Sequence, residues 1–238
     1  ANGGAFGAKL SSEVGAVARR RADEHRRPVR VLLSREDTVR RGPKRPPMAA
    51  GLRADGSGIV RVVRTPGIAA AIAAVAPSLE VDEVDVSGPP TSAAIRGAGW
   101  VEAAVLLAGL RGDVGWIEAP GGGAATASVG DDGTIVIGVR CGDVLDETVL
   151  RSYCTGAAHM ALSWVTSESL SVDPDGEIHD LTVRSFGILR AVDMPDVEVT
   201  IEPTDGPAVN GSDAVFAAVA AAAWLDNGLA PEWPTAHH

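Results

Sequence analysis

Apolar positions along this chain recur with two different periods, and the alternation between them predicts an α+β fold built from mixed sheets with packed helices. Ser11 or Ser12 can cap a helix that carries Val14, Val17 and Ala18, runs into the cationic stretch 19–27 and stops at Pro28. Residues 28–33 read as a strand, and 34–47 as a polar, basic loop. Residues 48–65 alternate around Asp55-Gly56-Ser57-Gly58, a hairpin signal. The small residues of 67–76 are helical in character, Pro89-Pro90 breaks the chain, and a helix follows over 100–110.

In the second half, the Gly- and Ala-rich segment 120–126 reads as a linker or flexible turn, and Asp131-Asp132-Gly133 leads into an apolar strand at 134–139. A helix over 146–165 places Leu150, Ala157, Ala161 and Trp164 on a mainly apolar face. The turn Asp173-Pro174-Asp175-Gly176, strands at 178–185 and 197–202, and a final helix at 214–226 complete the pattern. The linker suggests two subdomains, 1–119 and 120–238. No fixed-period internal repeat is visible, which excludes solenoids and propellers.

The net charge of -10 and pI near 4.9 oppose binding to nucleic acid or an anionic membrane, leaving small molecules and proteins as partners. Cys141 and Cys154 lack the paired spacing of a zinc or iron–sulfur site and are too few for a disulfide framework, so they are expected as buried apolar residues in a cytoplasmic protein. No apolar run reaches the length of a membrane span. The Gly-rich opening 1–7 suggests a processed or split polypeptide, and His237-His238 is given no function.

Several segments, in order, resemble the molybdopterin-binding catalytic subunit of the xanthine dehydrogenase and aldehyde oxidase family. They are Gly3-Gly4-Ala5-Phe6-Gly7-Ala8-Lys9, then Arg27-Pro28-Val29-Arg30-Val31 through Arg35-Glu36-Asp37, and then Arg96-Gly97-Ala98-Gly99. Cys141-Gly142-Asp143, Asp173-Pro174-Asp175-Gly176, 189–195 and Gly211-Ser212-Asp213 follow. The resemblance implies a shortened C-terminal half of such a subunit, with the corresponding fold truncated internally. It implies that Phe6 and Gly7 line a planar substrate, that Arg96, in a loop with Gly97, Trp100 and Glu102, orients substrate or stabilises negative charge, and that Asp213 is the base. The partner implied is a second polypeptide equivalent to the N-terminal half.

Departures from the family pattern set the expected chemistry. The long segment that carries a Gly-Gln-Gly motif and a serine-rich loop is missing, and Tyr153 stands where a glutamine would contact the pterin. The expectation is that the molybdenum cofactor has been lost and that no metal is bound. Acid–base chemistry on a small organic molecule then remains: isomerisation, cyclisation, hydration or elimination, with Asp213, Arg96 and Tyr153 as catalytic candidates. Two other readings stay open: a molybdopterin-dependent hydroxylase subunit oxidising an aldehyde or N-heterocycle, and a non-catalytic scaffold for the partner chain. Bland roles compete at each position, namely a helix cap at Asp213, a core phenyl at Phe6, a buried hydroxyl at Tyr153, and packing at His159 and Met160.

Overall fold

The computed structural model describes residues 13–236. Helices α1 (Val14–His25) and α2 (Arg35–Arg41) precede β1 (Met48–Leu52), β2 (Gly58–Val63), α3 (Ile68–Ala73), β3 (Leu79–Val84) and α4 (Trp100–Arg111). Then come β4 (Ile117–Glu118), β5 (Ala124–Val129), β6 (Ile135–Arg140), α5 (Glu147–Thr166), β7 (Val197–Ile201) and α6 (Ser212–Asp226).

The two sheets have orders β1-β2-β3 and β4-β5-β6-β7. In each, a hairpin (β1/β2, β5/β6) is extended by a strand parallel to its second member (β3, β7), reached through a crossover helix (α3, α5). The unit ββαβα therefore occurs twice, closed by α4 and by α6. The closing segments also match in sequence: Ala94, Gly97, Val101, Ala103, Ala104 and Val105 correspond to Ala208, Gly211, Val215, Ala217, Ala218 and Val219.

Helix α6 is buried all round from Ala214 to Ala223, so it shows no polar stripe. Its alanines let α4, α5 and β5 pack close against it. Helix α4 bridges two cores. Val101, Ala104, Val105 and Ala108 belong to the large one around α6, and Ala103 to the smaller one with Val60, Val62, Ile68 and Ile72. Burying an isoleucine such as Ile68 or Ile72 contributes roughly 1.5–3 kcal/mol.

Four expected elements differ. Residues 28–33 keep half-buried Val29, Val31 and Leu33 in alternation but have no ladder among the described residues; alternation alone does not make a strand without a partner edge. Within the expected loop 34–47, Ser34 accepts the Asp37 N–H at 3.0 Å and caps α2, whose acidic first turn and basic last turn suit the helix dipole. The expected linker at 120–126 is the tight connection of the β4/β5 hairpin, closed by Ala119 N–H to Gly123 O at 3.0 Å, with Gly122 and Gly123 at φ +93° and +83°. Segment 178–185 makes a single bridge, Val172 to Ile178, and then turns through the Ser185 N–H to Thr182 O bond.

Candidate functional site

The loop before α4 and the loop before α6 meet in space. Arg96 adopts φ +48°, followed by Gly97 at +62° and Gly99 at +94°, a run of left-handed residues that turns the chain sharply into α4. A side chain at Gly97 would strike the Trp100 indole at 2.1 Å, so the buried Trp100 folds back over this glycine.

On the other side, Gly211 is the N-cap of α6, and Asn210 Oδ1 accepts the Ser212 N–H at 3.0 Å. Asp213 makes no capping bond. Its Oδ1 instead lies 3.4 Å from Arg96 Nη1, which also donates to Ser212 Oγ at 3.4 Å, while Nη2 points to Met160 Sδ at 3.5 Å. All three contacts are long, so the guanidinium is loosely held and keeps donor capacity. Phe216, one turn after Asp213, lies under the Arg96 guanidinium with the ring centroid 5.7 Å away. The Arg96 and Asp213 side chains are 30% and 48% exposed, so solvent and small molecules reach both.

Behind the loop lies a charge pair that sequence reasoning missed. Arg45 Nε donates to Glu102 Oε1 at 2.5 Å, and Nη1 donates to the carbonyls of Ile95 (3.1 Å) and Arg96 (3.0 Å). The other Glu102 oxygen accepts the Gly99 N–H at 2.8 Å. Arg45 stacks on Trp164 at 4.3 Å and faces Phe216 at 5.4 Å; its Nη2 is buried without a hydrogen-bond partner. A signal existed: Glu102 is a lone acid in an otherwise apolar helix, and a buried carboxylate requires a cationic partner.

The structure thus brings together Arg96, Gly97 and Asp213, with Glu102 and Trp100 buried behind them. Phe6 and Gly7 lie outside the described residues. Tyr153 is 56% exposed on α5, two turns and roughly 10 Å along the helix from Met160, and its hydroxyl has no partner among the described residues. His159 Nε2 lies 2.7 Å from Leu189 O, in the packing role. Burial pushes the thiol of Cys154 up to about 11 and that of Cys141 up as well, so both stay protonated at neutral pH.

Two cavities lie elsewhere. One of about 850 Å³ is bordered by Arg40, Arg41, Pro89, Pro90 and Glu177, and one of about 320 Å³ by Glu118, Arg140 and Thr204. Neither Arg96 nor Asp213 lines them. No helix among the described residues is long and apolar enough to cross a membrane. Among those residues no cluster of three or more His, Cys, Asp or Glu is placed to hold a metal.

No family model matches this sequence, and no curated protein does. Among solved structures, Cu,Mo-CO dehydrogenase in its carbon monoxide-reduced state aligns at 13% identity and TM-score 0.36, over 72% of this chain and 33% of that one. Reconstituted CO dehydrogenase from Oligotropha carboxidovorans aligns at 13% and 0.38, over 79% and 35%. Quinoline 2-oxidoreductase from Pseudomonas putida 86 aligns at 13% and 0.36, over 76% and 34%. The chain spans about a third of the length of these structures. A likeness this distant carries no argument about the chemistry of this chain.

Proposed function

We propose that this chain is a subunit of a xanthine dehydrogenase-like heteromeric enzyme that performs redox-neutral acid–base chemistry on a small organic molecule without a molybdenum cofactor. The observation that carries this reading is the convergence of Arg96 and Asp213 from two separate loop–helix junctions, 3.4 Å apart and open to solvent. A carboxylate beside a loosely held guanidinium has the parts needed to move a proton at carbon next to a carbonyl. Asp213 accepts the proton, and the free N–H groups of Arg96 receive the negative charge that develops on oxygen. The Phe216 ring beneath the guanidinium supplies an apolar floor.

The donor set fits a pterin poorly. Tyr153 offers one phenol where the resemblance expects an amide able both to donate and to accept, and no step is routed through that cofactor. The open setting also supports a second polypeptide. Acid–base chemistry gains from water exclusion, and Asp213 is half exposed in this chain alone. Beside it, Val149, Tyr153 and Met160 present an exposed apolar face of α5 that runs up to Arg96, the side on which the partner would complete the site.

The test is solvent deuterium incorporation next to the carbonyl in a panel of small ketones and aldehydes, followed by NMR with the full chain and any copurifying partner. Asp213→Asn should lower the rate by about 10²–10⁴-fold, the usual contribution of a positioned base. Equal rates in the variant and the parent chain, including no exchange in either, overturn the proposal.

A further inference from the structure

We infer that Arg45 is the positioning residue of this site, fixing the 95–99 loop in the conformation that carries Arg96 to Asp213. The inference deepens the proposed function and rests on Arg96 being a site residue. Its readout is loop geometry rather than turnover, so the two can fail separately.

The loop is gripped at both ends by one buried ion pair. Arg45 Nη1 holds the carbonyls of Ile95 and Arg96, and Glu102, held in turn by Arg45 Nε, accepts the N–H of Gly99. Between these points lie three left-handed residues, one of them an arginine that gains nothing locally from φ +48°. A conformation of this kind persists only where its surroundings over-determine it, and the Arg45–Glu102 pair is the surrounding that touches each of its ends. The same guanidinium packs on Trp164 and Phe216, and Phe216 is also the ring beneath Arg96. Arg45 thereby couples the loop, the α5 side chain Trp164 and the face of α6 that bears Asp213.

Core stability alone gives a poor account of this residue. The Arg45 and Glu102 side chains are 15% and 11% exposed, and Arg45 Nη2 is buried with no hydrogen-bond partner. Apolar residues of similar volume often replace a buried pair without loss of stability, whereas an unmade buried hydrogen bond is a penalty. The geometry points to a device that sacrifices stability to fix a backbone shape, as site-supporting residues do.

The chain contains three methionines, and the Met160 sulfur touches Arg96. Selective ¹³C-methyl labelling of methionine therefore gives three signals, one of which reports where Arg96 sits. Met194, packed against the large core, serves as the internal reference. In Arg45→Leu/Glu102→Gln, which leaves no unpaired buried charge, keeps an acceptor for Gly99 and adds no methionine, the Met160 signal should move to the position it takes in Arg96→Ala, with Met194 stationary. Arg45→Lys keeps the charge, but its single ammonium does not span Glu102 and both carbonyls; its Met160 signal should move the same way. A Met160 signal unmoved in a folded variant overturns the inference. Failure of both variants to fold overturns it too, because Arg45 would then belong to the core alone.

Discussion

Arg96 and Asp213, 117 positions apart in the chain, meet at 3.4 Å where α4 and α6 begin, with Arg96 in a left-handed backbone conformation. The contact is partly exposed and long, so its value to folding is small. Asp213→Asn should change the free energy of unfolding by less than about 1 kcal/mol, measured by urea titration, the range of an exposed ion pair. A larger loss of stability would make the pair a structural bond.

Gly211 is fixed by close packing. A methyl there would lie 2.4 Å from Cys141 Sγ and 3.0 Å from Val139 Cγ2, so Gly211→Ala should destabilise the chain by about 1–3 kcal/mol through overpacking. Adding Cys141→Ala removes the nearer obstacle and should recover part of that loss. Strict additivity of the two substitutions in a double-mutant cycle would refute the contact.

Burial pushes the Lys44 ammonium down to about 8, from an ordinary value of 10.5. Between those values the unfolded chain binds more protons than the folded one, so stability should rise as pH climbs from about 8 towards 10.5. Lys44→Met should flatten that rise. The chain has two lysines, Lys9 and Lys44, so an NMR titration of ¹³C-dimethylated protein reads the value directly.

Glu168 carries the opposite sign. Burial raises its carboxyl above the ordinary glutamate value, against the smaller effects of the Ser163 hydroxyl at 3.3 Å and of His159. The folded state then holds the proton longer than the unfolded one, so the stabilising contribution is full below the unfolded value and is lost as pH rises through the folded one. Glu168→Gln should gain on the parent chain as pH rises through that window. An advantage that shrinks over the same window would contradict the assignment.

Tyr153 is 56% exposed and lies two turns along α5 from Met160, the residue whose sulfur meets Arg96. Tyr153→Phe should leave deuterium exchange unchanged under conditions where Asp213→Asn lowers it by about 10²–10⁴-fold. A comparable loss in both variants would restore Tyr153 as the acid.

Much of the fold was legible in the sequence because it is written in local terms. The β1/β2 hairpin follows from Asp55-Gly56-Ser57-Gly58, α4 and α6 from their Ala-rich runs, and α5 from the helical spacing of Leu150, Ala157, Ala161 and Trp164. Segment 28–33 failed for the complementary reason. Its alternation is that of a strand, but a strand exists only where another edge is free to pair with it. Helix α2 carries a Ser34 cap and a favourable charge order, but its seven polar-rich residues show no apolar period that would set it apart from a loop.

The site divides along the same line. Arg96, Gly97 and Asp213 were marked by the family resemblance, which the sequence can carry because Arg96-Gly97-Ala98-Gly99 and Gly211-Ser212-Asp213 are short contiguous motifs. The sequence also carried the duplicated Ala94–Val105 and Ala208–Val219 pattern, which only gains meaning once both segments are seen to close equivalent ββαβα units. Tertiary structure alone decided that the two helix starts face each other, that Tyr153 is exposed and that Glu102 is buried against Arg45. The physical reason is range. Turns, caps and helical periods are fixed by neighbours a few positions apart, whereas the partner of a charge is chosen by the packing of α4 against α6, which no stretch of either helix specifies by itself.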